Sequence, residues 1–246
     1  MATTNSKDWF ASWFDTKYYH TLYQHRDMDE AKRFIDNLLD YLEIPEGAKC
    51  LDLACGKGRH SKYLNEHGLD VVGLDLSENS ILSAKTFENK SLRFDVHDMR
   101  EVYKRDYFNV IFNLFTSFGY FDSDKDNLKV LSAVDEMLLP DGRLIIDFMN
   151  ATRVIENLVE EETKTLDGIT FKIKRSYDGA HIFKNIQFED GGQHFDFTER
   201  VQALRYQDFQ NLLAQKGFSV KDAFGSFDLT PFDEKQSDRL IIIAQK

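Results

Sequence analysis

Hydrophobic and polar positions change period several times along this chain, and each change marks an element. Within residues 29–42 the apolar side chains Ala31, Phe34, Ile35, Leu38, Leu39 and Leu42 have the spacing of a helix with one buried stripe. Pro45 and Gly47 end it. A strand through Leu51 and Leu53 then runs into Gly56 and Gly58, followed by a helix over residues 59–67 with Gly68 at its left-handed end. Further apolar strands are predicted at residues 70–74, 92–95 and 108–114. The helix between the fourth and fifth strands, 124–139, turns Leu128, Leu131, Val134, Met137 and Leu138 inward until Pro140, Asp141 and Gly142 stop it. Residues 143–149 form the fifth strand. The fourth is almost wholly apolar, as a parallel strand covered on both faces should be. Strand and helix alternating in this way require right-handed crossovers and a parallel sheet.

Beyond residue 150 the alternation breaks. Asp167 with Gly168, Asp178 with Gly179 and Asp190 with Gly191 lie between segments rich in β-branched and aromatic residues, and Asp-Gly is a preferred filling of type I′ hairpin turns. An antiparallel meander of four strands is therefore expected as an insertion over residues 160–203. Ile169, Phe171 and Ile173 alternate with Thr170, Lys172 and Lys174, so one face is buried and one is wet. The buried face would roof a substrate site, pair with a second copy of the chain, or simply pack internally. A helix over 206–216, a strand over 218–227 and the apolar run 240–244 complete the chain.

At the other end, Trp9 with Trp13, Phe10 with Phe14, Phe14 with Tyr18 and Tyr19 with Tyr23 are i,i+4 pairs on helical faces. They would pack on the sheet or close over a pocket. The reading is one α/β domain made of residues 1–150 and 204–246, its helical N-terminal part spanning 1–44, with 160–203 inserted.

Composition narrows the partners. The chain has 42 acidic and 31 basic residues, a formal charge of −11, and an acidic surface repels a phosphodiester backbone. No nucleic-acid partner is expected. Cys50 and Cys55 are too few for a disulfide framework or a zinc site, so no metal is expected. No apolar run reaches bilayer length and no leader pattern stands at the start, which points to a cytoplasmic protein without a membrane partner.

The candidate chemistry sits at the first turn. Gly56 and Gly58 remove Cβ atoms where a ligand could rest on bare backbone. The second strand ends in Asp75, at the spacing where an acid reaches a ribose hydroxyl pair. Ser61 occupies the third-glycine position of a dinucleotide turn, and Asp52 adds an anion where phosphates would lie. A cationic nucleoside suits such a turn better than a pyrophosphate.

Asp52-x-x-x-Gly56-x-Gly58, followed by Gly73-Leu74-Asp75-Leu76-Ser77, resembles motif I and its successor in class I S-adenosylmethionine-dependent methyltransferases. The resemblance implies a Rossmann-like, doubly wound, mostly parallel seven-stranded sheet whose C-terminal strand is reversed. It implies S-adenosyl-L-methionine as cofactor, N-terminal helices closing the pocket, and a small-molecule acceptor methylated on N, O or C. Carried onto this chain, it gives Asp52 to the polar methionine end, Gly56 and Gly58 to close backbone approach, Asp75 to the ribose, Leu76 and Met99 to the adenine faces and Asp98 to its amino group. Ala54, Asn113 and Leu114, at strand ends, join the same crevice.

Tyr19 and Arg26 in the aromatic segment are further candidates. Arg26 could pair with the cofactor carboxylate or form a surface ion pair with Asp27 or Asp29. Enzymes that methylate exocyclic base amines carry [DNS]-P-P-[YF] after the fourth strand, whereas residues 113–121 contain no proline. No catalytic base is assignable. His20, His25, Tyr23 and His194 are candidates only because they titrate or donate. A non-catalytic S-adenosylmethionine-binding module and a nicotinamide-dependent oxidoreductase remain as alternatives.

Overall fold

The computed structural model describes residues 13–23, 28–121 and 123–246. Seven strands form the main sheet in the order β10-β11-β5-β4-β1-β2-β3: β1 (Lys49–Leu53), β2 (Asp70–Asp75), β3 (Leu92–Val96), β4 (Phe108–Asn113), β5 (Leu138–Met149), β10 (Ser219–Phe224) and β11 (Arg239–Gln245). Neighbours from β3 to β5 pair in parallel, and β11 runs antiparallel to both β5 and β10. The reversed last strand is as expected.

Helices cover both faces, which explains the nearly unbroken apolar strands. On one face Leu51, Leu53, Ile111, Leu144 and Phe148 pack with Val130 and Val134 of α5 (Asp124–Met137) and Phe209 and Leu213 of α7 (Tyr206–Ala214). On the other, Cys50, Val71, Val110 and Phe112 meet Phe34, Ile35 and Leu38 of α2 (Met28–Leu42), Leu64 of α3 (Arg59–Glu66) and Ile81 of α4 (Glu78–Ala84). Ser77 caps α4, accepting from the amide of Ser80 at 3.0 Å. Helix α5 stops at Met137, and the stretch around Pro140 belongs to the irregular start of β5, where the register with β4 shifts and Asp141 has φ +62°. A short helix, α6 (Ala151–Glu156), fills a place where the apolar pattern marks no element. No helix among the described residues is long and apolar enough to cross a membrane.

The insertion is a separate four-stranded sheet, β6 (Glu161–Leu166), β7 (Ile169–Tyr177), β8 (His181–Asp190) and β9 (Gln193–Gln202), in that order. Asp167 (φ +49°) and Gly168 (φ +79°) form the first turn, as their sequence requires. The second is longer, with Asp178 Oδ1 accepting from the amides of Ala180 and His181. The third differs from expectation: Gly191 (φ +58°) and Gly192 (φ +77°) make the turn, and Asp190 is the last strand residue, paired with Gln193.

The buried face of the insertion packs on the N-terminal segment. Phe171, Ile173, Ile186 and Phe188 form one cluster with Trp13, Tyr18 and Leu22, the last two on α1 (Lys17–Leu22). That apolar face is already covered. The insertion also meets the main domain directly at the end of β9, where the Gln202 amide donates to the Gly119 carbonyl at 2.8 Å and Asn127 donates to the Gln202 side chain.

Candidate active site

The turn after β1 is built from left-handed backbone. Ala54 (φ +65°), Gly56 (φ +55°) and Gly58 (φ +76°) carry the chain from strand to helix over the end of β2. The two glycines serve different ends. A Cβ on Gly56 would meet nothing within 4 Å, whereas one on Gly58 would lie 2.6 Å from the Phe94 ring and 3.1 Å from Ala84 Cβ. Gly56 opens backbone to a ligand, and Gly58 lets the turn pack on β3.

Asp75 organises this turn. Its carboxylate accepts from the Gly56 amide and from the Ser77 amide, each at 2.8 Å. Burial raises its proton affinity, and these backbone bonds work against that rise. Because the Gly56 N–H is directed at Asp75, it is not presented to a phosphate. Asp52 is buried beneath, accepting from Ser61 Oγ at 2.6 Å. Ser61 thus occupies the third-glycine position to answer a buried carboxyl. Burial lifts Asp52 to about 6, against the opposing hydrogen bonds of Ser61.

These elements surround a cavity of about 460 Å³, a common size for a small-ligand site. Ala54, Gly56, Asp75, Leu76, Asp98, Met99, Leu114 and Tyr19 all line it. Asp52, Gly58 and Asn113 are not among the lining residues and stand behind the wall. Asp52 faces Ser61 and Gly58 faces Phe94, while Asn113 donates to the Leu53 carbonyl at 2.9 Å and ties β4 to β1. Arg26 and His25 lie outside the described residues.

Asp98 does not stand alone, for Arg100 Nε donates to both its oxygens at 3.0 and 3.1 Å and Nη2 to one at 2.6 Å. Burial pushes Asp98 up, but its bonds to Arg100 outweigh that and hold it below the usual carboxylate range. It stays ionised at neutral pH. Leu76 and Met99, near it on the wall, offer apolar surface to a flat ring.

The opposite wall follows β4. Phe115 (φ +60°) and Thr116 (φ +61°) are consecutive non-glycine residues in the left-handed region, a conformation costing about 1–3 kcal/mol per residue. The Phe115 ring stacks on His60 at 4.7 Å, with the Arg59 guanidinium 4.9 Å from its centre. None of these three side chains was singled out by the sequence motifs; their only signal is position after a strand end.

The N-terminal segment closes the cavity. Phe14, Tyr19, His20 and Tyr23 line it, with ring centres 4.8 Å apart for Phe14 and Tyr19 and for Tyr19 and Tyr23. Phe14 also meets Tyr120 at 5.5 Å. Burial and then the Lys57 charge lower the pKa of His20, which keeps its imidazole neutral.

Carboxylates tether this segment on two sides. Asp15 accepts from Ser77 Oγ and from Asn79 Nδ2 at the start of α4. Glu199 of β9 accepts from Trp13 Nε1 at 2.7 Å and from the Tyr23 hydroxyl at 2.8 Å, while Lys184 donates to that hydroxyl at 2.5 Å. His194 is not among the residues lining the cavity.

The cavity thus brings together open space over Gly56, the carboxylate of Asp75, an ionised Asp98 and the aromatic rings of the N-terminal segment.

A family model described as a methyltransferase domain matches residues 44–217. Among curated proteins, Bacillus subtilis YqeM, named as a methyltransferase, is 27% identical over 239 residues, covering 93% of this chain and 94% of its own. A glycine/sarcosine N-methyltransferase of Halorhodospira halochloris is 28% identical over 228 residues, 88% of this chain and 82% of its own. In fold, the chain is similar to an S-adenosylmethionine-dependent methyltransferase from Clostridium acetobutylicum, with TM-score 0.78, 19% identity, and coverage of 93% and 95% of the two chains.

Proposed function

The chain belongs to the methyltransferase family and takes S-adenosylmethionine as its cofactor, and on that premise we propose that it transfers the methyl group to the nitrogen of a small amine. The observation that carries the cofactor side is the commitment of the Gly56 amide to Asp75, which leaves a carboxylate and bare backbone where a dinucleotide turn would offer amides. When bound, the cofactor supplies a methyl group already activated by its sulfonium.

In this reading the Asp75 carboxylate accepts the ribose hydroxyls and Asp98, held ionised by Arg100, accepts from the adenine amino group. Leu76 and Met99 flank the ring, while Ala54, Gly56 and Leu114 shape the crevice. Asp52, Gly58 and Asn113 act from behind, holding the turn and the end of β4 in register. Tyr19 covers the cavity, and Arg26 is assigned to the cofactor carboxylate.

The nitrogen acceptor is supported by what faces the rest of the cavity. Aromatic rings line much of it together with His20, His60, Lys57 and Arg59, and the carboxylates lining the wall among the described residues, Asp75 and Asp98, belong to the cofactor end. An amine arriving neutral needs positioning and little else. One arriving as ammonium needs a proton acceptor, and the neutral imidazole of His20 provides it. The Halorhodospira relative, which by name methylates glycine and sarcosine, supports the same choice. We place the protein in the cytoplasm, where Cys50 and Cys55 stay reduced. Self-association through the insertion would have to use its polar outer face or its edge strands, since α1 covers the apolar one.

Calorimetry with S-adenosylmethionine, S-adenosylhomocysteine and NADH tests the cofactor, and turnover of glycine, sarcosine, amino sugars and phenols tests the acceptor. Binding of the first two ligands and methylation of an amine are expected. Asp75→Ala should weaken cofactor affinity by about tenfold or more, the scale of a lost charged hydrogen bond. Preference for NADH, or turnover confined to phenols, would overturn the reading. Cofactor binding with no turnover of any acceptor would make the protein a binding module instead.

A further inference from the structure

The strained wall after β4 is held by an ion pair between a buried aspartate and a partly exposed arginine, neither of which lines the cavity. Asp147, near the end of β5, is fully buried. Its Oδ1 accepts from Arg239 Nε at 2.8 Å and Nη2 at 2.7 Å, and its Oδ2 accepts from the Phe115 amide at 2.9 Å. The Asp147 carbonyl takes the Thr116 amide at 3.0 Å, and Arg239 Nη2 reaches Thr116 Oγ1 at 3.3 Å. Both left-handed residues are therefore anchored to one aspartate and its arginine. The ring of Phe115 lies 5.5 Å from Phe227, and Phe227 also carries the Arg239 guanidinium at 5.5 Å.

Topology explains why the arginine can be there. A parallel strand brings its C-terminal end to the ligand edge of the sheet, but β11 is reversed, so its first residue, Arg239, reaches that edge beside Met149 at the end of β5. A guanidinium suits the place because its planar fork can serve a carboxylate and a hydroxyl together.

We infer that Asp147 and Arg239 are positioning residues for methyl transfer, holding Phe115, Thr116 and Ser117 in the shape that receives the acceptor. This rests on the proposed methyl transfer, with Phe115, Thr116 and Ser117 lining the cavity away from the residues assigned to the cofactor. Without the pair, two non-glycine residues have no reason to stay left-handed, and the loop relaxes away from His60.

The test compares wild type, Asp147→Asn, Arg239→Lys and the double variant Asp147→Asn with Thr116→Gly. Glycine accepts a positive φ without support, so it should rescue a positioning defect and not a general loss of packing. Asp147→Asn is expected to lower kcat on the best amine of the panel about tenfold or more, with S-adenosylhomocysteine affinity by calorimetry within about threefold. Amide exchange across residues 114–121 should quicken about tenfold while β5 and β11 keep their protection. The double variant should regain a measurable part of both losses, and Arg239→Lys should show a weaker form of the same pattern.

An unchanged kcat and unchanged loop exchange in Asp147→Asn would overturn the inference. So would parallel losses in β5, β11 and cofactor affinity that Thr116→Gly fails to rescue. If Asp147→Asn does not fold, Arg239→Lys decides by the same two measurements. The exchange arm needs no acceptor, so a panel with no turnover counts against the amine reading and leaves loop exchange to judge the pair.

Discussion

The floor and the roof of the cavity are held by different physics. In the floor, between Ala54 and Ser77, backbone does the work: left-handed residues turn the chain, the Gly56 and Ser77 amides grip Asp75, and missing Cβ atoms make room. In the roof, side chains far apart in sequence meet. Trp13 and Tyr23 share the carboxylate of Glu199, and Phe14 meets Tyr19 edge to face and Tyr120 at a tilt. A floor of backbone is fixed once the sheet forms, and its shape changes only if the turn breaks. A roof of side chains on a short helix rests on individually modest contacts, so it can be loosened without unfolding the sheet.

Glycine substitutions should separate the two functions within the floor. Gly58→Ala forces a Cβ into the Phe94 ring at 2.6 Å from a left-handed residue, so a loss of about 2–4 kcal/mol is expected from overpacking and backbone strain together. Denaturant unfolding measures it, and Phe94→Leu in the same chain should return part of it. Gly56→Ala meets open space, so it should cost only about 1 kcal/mol of stability while weakening cofactor binding. Equal effects of the two changes on both properties would erase the distinction.

Asp52 measures what the floor costs. Its carboxyl is lifted from 3.8 to about 6, chiefly by burial, which corresponds to a penalty on the order of 3 kcal/mol at neutral pH. The folded state holds this proton more tightly than the unfolded one. The penalty is therefore fully present above pH 6, shrinks as pH falls through 6, and vanishes below about 4. Asp52→Asn should be the more stable protein at pH 8 by up to about 3 kcal/mol, with the gap closing by pH 4 in paired denaturation curves. A gap independent of pH would mean that Asp52 is not the strained group. Weaker cofactor binding by the variant would show what the buried charge is kept for.

The same contrast explains which parts were legible in the sequence. The floor is local: glycines, the strand-end aspartates and the Ser77 cap lie within a few turns of one another, and their spacing reports their geometry. The parallel sheet and reversed last strand were likewise readable from apolar runs and the motif resemblance. What escaped was nonlocal or depended on direction. The motif gives Asp52 to the polar methionine end, and strand spacing does not reveal that its side chain is paired with Ser61. Arg100 clasps Asp98 through bonds between near neighbours that no motif marks. The Asp-Gly pattern puts Asp190 in the turn, yet Gly191 and Gly192 together satisfy two positive φ angles better than an aspartate does, freeing Asp190 to accept from Lys17 and Tyr18. The insertion's alternation announced a buried face without naming its cover. Glu199 had no sequence signal at all, because its partners Trp13 and Tyr23 lie 186 and 176 residues away.

Glu199 is where the roof can be probed with the smallest disturbance. Its carboxylate is mostly buried, receives two donors from the N-terminal segment, and stands 3.9 Å from Lys184. Glu199→Gln keeps an acceptor but removes the charge opposite that lysine, leaving a cation in a poorly hydrated place. Loss of the tether should release the N-terminal segment more than it destabilises the sheet. Cofactor affinity is expected to fall by about 1 kcal/mol, near fivefold, through faster dissociation in stopped-flow displacement, with the main unfolding midpoint almost unchanged. Replacing Lys184 and Glu199 together by Met and Leu removes the stranded charge while still breaking the hydrogen bonds. If that double variant releases cofactor as slowly as wild type, apolar packing of Trp13, Tyr18 and Leu22 on the insertion suffices to hold the roof; if it releases as fast as Glu199→Gln, the hydrogen bonds to Trp13 and Tyr23 are what keep it closed.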